Sequence, residues 1–373
     1  MMARTIAVVL AGAVAKGAFE AGVIQALART DVKIVRIVGA SSGALNGTVL
    51  ASAVRARNLV AGAEVLAGLW RDRAEWHEVF HASLRDIVKL DGLSDQKRLL
   101  GLLRDHVPPS QPAEPDPVNL RLIVAALHGY PGEIGERPAT TFEAICDFHG
   151  DDFGSRAGLD RVFSAAVASA AFPIMFAPVE VPGVGPCVDG GLVNNTPMKW
   201  ALDGKIGTEI DAIVVIATSV ERRTVPPGEL KALSLVGHLA DMLIEERLYR
   251  DLREAEQTNA SLGRLDQLVR QGALGAAQLD AVKDAIGWSK RRVVDIIPIR
   301  PTRELPGNAF AGFLNDEYRR EYLDAGYLRA LEVLGGRGWS LRRTDEAPVW
   351  RADAGAAADP IAAPRPAERD RAD

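Results

Sequence analysis

Gly39-Ala40-Ser41-Ser42-Gly43 sets a serine between two glycines, directly after the apolar run 35–38 and directly before a stretch with helical spacing. A G-x-S-x-G pentapeptide in that setting lets the chain turn sharply from strand to helix, because small residues on both sides of the serine avoid a clash between the two elements. The Ser41 hydroxyl is then exposed at a helix N-terminus, where unpaired N–H groups and the helix dipole favour negative charge developing in a reaction. That arrangement suits nucleophilic acyl transfer. In a chain with 35 glycines the same pattern also arises by accident, so its surroundings must decide.

A serine hydroxyl is a poor nucleophile until a base within hydrogen-bond reach takes its proton. None of the six histidines, His77, His81, His106, His128, His149 and His238, sits in a strand-end or glycine-turn pattern, and each reads as a surface or packing residue. Asp189 stands out instead. It ends a short apolar strand and is followed by Gly190 and Gly191, then by Leu192-Val193-Asn194-Asn195-Thr196-Pro197. Asp-Gly-Gly alone is also simply a good turn.

Composition removes other classes. A net charge of −5 with 44 scattered Lys and Arg offers no basic footprint for nucleic acid. Two cysteines, Cys146 and Cys187, make neither a disulfide framework nor a metal cluster, so no metal is expected and a reducing compartment suits the chain. With 47% apolar residues the chain can bury a sizeable core, and no apolar run reaches the roughly 18 residues that span a bilayer. Residues 4–15 imitate a signal peptide, but the apolar core is short and cleavage would delete the strand that the serine elbow needs beside it. No signal peptide is expected, and the expected location is cytoplasmic, with at most peripheral attachment to a membrane.

The elements that must position these residues follow from the apolar spacing. Residues 4–11 read as a buried strand, 16–27 as a helix, 34–38 as a second strand and 42–55 as a second helix, a right-handed βαβ unit. Both the loop at 12–17 and Ser41 then lie at the carboxyl ends of strands, where open α/β sheets bind ligands. Residues 58–117 read as an inserted helical layer carrying Trp70, Trp76, Val79, Phe80 and Leu84 and closing in a proline-rich loop; it serves as a wall of a substrate cleft or as plain packing. Strands are expected at 120–127 and 140–148 with a connection at 129–138, a small-residue helix at 159–170, a central strand at 211–218, one or two helices over 230–260, a last strand at 293–299 and a closing helix at 316–334. From 345 to 373 the composition predicts a disordered tail.

Taken together, three ordered motifs resemble the patatin-like phospholipase family. Leu10-Ala11-Gly12-Ala13-Val14-Ala15-Lys16-Gly17 is similar to its glycine-rich oxyanion segment, Gly39 to Gly43 to its serine elbow, and Ser169-Ala170-Ala171-Phe172-Pro173 with 176–179 to the segment leading to its Asp-Gly-Gly motif at 189–191. The resemblance covers about 5–220, with a weaker echo near 300–334. It implies a three-layer α/β/α sandwich with a mostly parallel central sheet over 4–335. It further implies Ser41 as nucleophile, Asp189 as base, backbone N–H groups of Gly12, Ala13 and Val14 for the oxyanion, and Lys16, Gly17, Gly39, Gly43, Gly190 and Gly191 as supporting positions. The implied activity is that of a serine lipid acyl hydrolase of phospholipase A or lysophospholipase type, acting on a lipid or membrane-surface ester without a cofactor. The family shows three consecutive glycines where this chain has Gly12-Ala13-Val14. Val14 resists φ > 0, so either the donors sit at negative φ or the hole is impaired.

Competing readings are weaker. A Ser-His-Asp α/β-hydrolase places its elbow after several strands, whereas Ser41 follows the second. An acyl-carrier transacylase would carry histidine at Ala40, and a dinucleotide site lacks its middle glycine between Gly12 and Gly17. The remaining alternative is a patatin-like scaffold with little hydrolysis that binds lipid or a protein partner.

Overall fold

The first strand is wholly apolar from Ile6 to Leu10 because that stretch lies within a sheet with both faces covered. The computed structural model describes residues 4–80, 94–110, 118–134, 137–173, 175–202, 210–220, 232–289 and 291–339. Its strands are β1 (Arg4–Leu10), β2 (Val32–Ala40), β3 (Asn119–Ile134), β4 (Arg137–Phe148), β5 (Val179–Val181), β6 (Gly185–Asp189), β7 (Ala212–Ile216) and β8 (Asp295–Ile299). They join in the order β5-β6-β3-β2-β1-β7-β8, with β4 also paired to β3. The run from β3 through β2, β1 and β7 to β8 is parallel throughout, while β4, β6 and β5 add an antiparallel edge.

Helices of eight or more residues are α1 (Gly17–Leu27), α2 (Ser42–Arg55), α3 (Leu59–Gly68), α4 (Lys97–His106), α5 (Arg156–Ser169), α6 (Ala232–Arg270), α7 (Ala276–Ala285) and α8 (Asp316–Gly336). Three begin on side-chain caps that satisfy orphan N–H groups: Asn58 accepts from Ala61 before α3, Ser155 from Gly158 before α5, and Asn315 from Glu317 and Tyr318 before α8. On one face of the sheet Leu10, Ile37 and Leu120 approach α2 at Gly47. On the other, Ala7, Val9, Val38 and Val215 cluster with Met198, Ala201 and Leu248 of α6. The result is an α/β sandwich.

Every residue of α1 is buried, since α8 crosses it at backbone distance. A Cβ on Gly22 would stand 2.0 Å from the carbonyl oxygen of Leu323, and one on Gly326 2.0 Å from that of Phe19. Only glycine permits that reciprocal approach. Arg319 of α8, also buried, donates to the carbonyls of Gly312 and Arg71 and so ties α8 to the π-helical turn Leu69–Arg73 that follows α3.

Several boundaries differ from the sequence expectation. β3 and β4 continue past the expected connection at 129–138, pairing Tyr130 with Thr141 and Glu133 with Pro138 beyond an irregularity in the ladder, because the antiparallel register carries polar pairs as readily as apolar ones. The helical stretch after residue 230 is one helix of 39 residues followed by α7. Residues Met1–Leu341 form one compact unit. Leu84, Pro112, Pro115, Pro117 and the expected tail at 345–373 lie outside the described residues.

Candidate active site

β2 ends at Ala40, α2 starts at Ser42, and Ser41 between them adopts φ 54 and ψ −128. A non-glycine residue at positive φ is strained by about 1–3 kcal/mol and persists only where its surroundings over-determine it. Here they do. A Cβ on Gly39 would come within 2.5 Å of the Gly43 carbonyl oxygen, and one on Gly43 within 2.4 Å of the Leu10 carbonyl oxygen, so both glycines are required by close approach. The Ser41 N–H donates to Ser169 Oγ at 2.9 Å, and Ser169 Oγ in turn donates to the Ile123 carbonyl at 2.5 Å. Ser169 at the end of α5 thus pins the elbow to β3. Sequence reading used it only as part of a flanking motif.

The Ser41 hydroxyl donates to Asp189 Oδ2 at 2.6 Å. Asp189 ends β6 opposite Val124, its N–H donates to the Ala171 carbonyl, and its Oδ1 accepts from the Gly191 N–H at 2.7 Å. Gly190 and Gly191 form the turn that supplies this donor. Burial pushes the Asp189 carboxyl up to about 7, while its hydrogen bonds from Ser41 and Gly191 pull the other way. A carboxylate tuned near neutral pH is a competent general base. Among the described histidines, His106 meets the Leu102 carbonyl, His149 lies beside Asp147 and His77 beside Glu75 and Glu78; none bonds to Ser41 or Asp189. His81 and the side chain of His238 lie outside the described residues. Cys146 and Cys187 are buried, with thiols pushed up to about 12 and about 11, which leaves them without thiolate character.

The loop at 12–17 departs from the expectation drawn for it. Val14 sits at φ 51, a conformation its branched side chain disfavours. Long-range bonds hold it there. The Gly12 N–H donates to the Asn195 carbonyl at 3.1 Å and Asn195 Nδ2 donates back to the Gly12 carbonyl at 3.0 Å. The Ala13 N–H donates to Ser42 Oγ at 2.9 Å, and the Ala15 N–H to the Ala309 carbonyl at 3.0 Å. Of the three N–H groups named from sequence, those of Gly12 and Ala13 are therefore engaged, and only that of Val14 has no acceptor among the described residues. Lys16 closes the short turn Val14–Lys16, and Gly17 opens α1.

Ser41 and Asp189 line an apolar cavity of about 110 Å³. Leu66, Trp70, Val79, Phe80, Leu99 and Leu103 from the helical insertion line it, joined by Phe172 and Phe176 and by Phe310 and Phe313. Four of its rings make a continuous band: Trp70 stacks on Phe313 at 6.5 Å, Phe313 meets Phe80 edge-on at 5.3 Å, and Phe80 stacks on Phe176 at 5.0 Å. Such a cavity suits a hydrocarbon chain whose carbonyl carbon reaches Ser41. Among the described residues no helix is long and apolar enough to cross a membrane.

The sequence profile described as patatin-like phospholipase matches residues 8–202, which span the elbow, the insertion and the Asp189 turn. The chain belongs to the patatin-like phospholipase family, a family of lipid acyl hydrolases. No curated protein sequence matches it. Among solved structures it is similar to VipD from Legionella pneumophila at 14% identity and a TM-score of 0.38, over 90% of this chain and 67% of that one.

Proposed function

We propose that this protein hydrolyses fatty acyl esters through a Ser41–Asp189 dyad and an acyl-enzyme. The observation that carries the reading is the 2.6 Å bond from Ser41 Oγ to Asp189 Oδ2, both of which line an apolar cavity. Asp189 takes the hydroxyl proton as Oγ bonds to the ester carbonyl carbon. The carbonyl oxygen becomes the oxyanion, which accepts from the Val14 N–H and from the Ser42 N–H at the start of α2, where the helix dipole adds to both. Collapse of the tetrahedral intermediate breaks the ester C–O bond, and the leaving alkoxide takes the proton from Asp189. A water molecule, deprotonated by Asp189, then attacks the acyl carbon and releases the fatty acid and Ser41. The acyl chain lies along the aromatic band and the insertion at 58–117, and the substrate comes from a membrane surface as a phospholipid or lysophospholipid.

A second reading, a lipid-binding scaffold with little turnover, draws on the engaged N–H groups of Gly12 and Ala13. One experiment separates the two. A fluorophosphonate probe is expected to label the wild type at Ser41 and not Ser41→Ala, and the wild type is expected to release fatty acid from phospholipid, lysophospholipid or p-nitrophenyl ester. A folded wild type that binds fatty acid but is neither labelled nor active leaves only the scaffold.

A further inference from the structure

Trp70 is the one ring of the aromatic band whose orientation is set by a hydrogen bond. Its Nε1–H donates to Asn46 Oδ1 at 2.7 Å. Asn46 stands one turn beyond Ser42 on α2, and its Nδ2 donates both to the Gly17 carbonyl at 3.0 Å and to Glu20 Oε2 at 2.8 Å. Two acceptors on that side and one donor on the other leave the amide a single orientation, since only its NH₂ can donate and only its oxygen can accept. Glu20 is wholly buried, and burial raises its carboxyl well above the usual carboxylate range. No step of ester hydrolysis uses Glu20 or Asn46.

The indole is also confined from behind. It packs on Gly17, where a Cβ would lie 2.6 Å from Trp70 Cζ2 and 3.0 Å from Ser42 Oγ, so the indole stands beside the residue that follows Ser41, where the first carbons of an acyl chain would lie. Phe313 stacks on it, and it rises from the π-helical turn Leu69–Arg73, a distortion that recurs at functional sites. A cavity wall that is tethered, backed and stacked cannot rotate aside for a wider guest, whereas Phe80, Phe176 and Phe313 are held by packing alone.

We infer that Trp70, locked by the Glu20–Asn46 relay, determines acyl specificity, admitting unbranched chains and rejecting acyl groups branched next to the carbonyl. The inference rests on the acyl-hydrolase reading for its substrate, but its test includes an arm that needs no turnover.

The comparison uses p-nitrophenyl octanoate and its branched isomer p-nitrophenyl valproate, which differ in shape and not in carbon number. Wild type is expected to favour octanoate. Trp70→Ala is expected to raise the valproate-to-octanoate ratio of kcat/KM by about tenfold or more, the scale of a lost methylene-sized fit in an apolar pocket. Trp70→Phe, which keeps a ring but loses the tether, is expected to raise the ratio less. Asn46→Ala is expected to raise it alone but to add little in the Trp70→Phe background, because the bond it removes is already gone. A merely structural role would lower both rates and leave the ratio alone. In the second arm, valproic and octanoic acids compete with a fluorescent fatty acid on Ser41→Ala, with and without Trp70→Ala, and the same shift is expected in the ratio of their competition constants. Wild type that is inactive while this ratio still shifts overturns the hydrolase reading and keeps the inference. A ratio that moves less than twofold in folded Trp70→Ala, or in Trp70→Phe should the alanine variant not fold, overturns the inference, as does the absence of fatty-acid binding in an inactive protein.

Discussion

The surroundings of Ser41 and the rest of the cavity lining are built from different materials. At Ser41 the parts are backbone and short polar side chains: two residues at positive φ, a carboxylate held on both oxygens, and a loop clasped by Asn195 and Ser42. Along the wall the parts are leucine and aromatic side chains from three separated stretches of chain, with Trp70 alone tied by a hydrogen bond. Hydrogen bonds fix a position to within tenths of an ångström, as proton transfer requires, whereas apolar packing tolerates volume-conserving change. Damage around Ser41 should therefore cost rate without unfolding, and damage to the rest of the lining should cost stability and binding.

The sharpest break comes from removing the dyad. Ser41→Ala should lower ester hydrolysis by roughly 10⁴-fold or more with an unchanged unfolding temperature. Asp189→Asn keeps the shape but not the basicity, so it should fall nearly as far, and the double variant should be little worse than either single. Retained activity in a folded Ser41→Ala protein would remove Ser41 from the mechanism.

Asn195→Ala comes next. It deletes the Nδ2 donor to the Gly12 carbonyl, so the loop carrying Val14 drifts, and a drift of about 1 Å can cost about 10²-fold. Steady-state kinetics should show the loss in kcat with KM nearly unchanged. The corresponding change in the wall, Leu103→Ala, should do the opposite: a loss of about 2–5 kcal/mol in stability, measured by denaturant unfolding, and a raised KM for long-chain esters with kcat largely kept. If Leu103→Ala proves the worse catalyst of the two, this division of labour is wrong.

The pH dependence sharpens the contrast further. As the proposed base, Asp189 works only when ionised, so kcat/KM should fall about tenfold per pH unit below its value of about 7. For stability the sign reverses. A carboxyl raised from 3.8 to about 7 by burial contributes stability below its ordinary value and loses it as pH climbs through 7. Asp189→Asn should thus melt a few degrees higher than wild type at pH 8 and close to it at pH 4. The smallest effect is expected from Val14→Gly, which relieves a branched residue at φ 51: about 1 kcal/mol more stable in thermal unfolding, with activity within a few-fold. Proline at Val14 is no clean probe of the donor, because its ring demands φ near −65°.

What was legible in the sequence was local. The βαβ opening, the elbow and the Asp189 turn each announce themselves through apolar period and glycine spacing within a dozen residues, and the parallel part of the sheet followed from them. The conformation of Val14 did not, because Asn195 and Ser42 impose it from 181 and 28 residues away along the chain (195 − 14; 42 − 14). Nor did the aromatic band. Trp70 and Phe80 at helical spacing left cavity wall and plain packing equally open, and what decides is their contact with Phe176 and Phe313, which no local pattern encodes. Ser169 was seen as part of a motif, yet its bond to the Ser41 N–H belongs to the meeting of α5 with β2.

The backbone crossing of α1 and α8 at Gly22 and Gly326 gives the order of synthesis a role. Ser41 and the loop at 12–17 leave the ribosome well before the groups that brace them, Ala309 against Ala15, Arg319 against the Leu69–Arg73 turn and α8 against α1. A nascent chain that has emerged only as far as β8 carries Ser41 and Asp189 without the clamp around them. A premature stop before residue 309 would leave the serine elbow, the 12–17 loop and the Asp189 turn with an unbraced α1, so the integrity of α8 matters to the site as much as the presence of the serine.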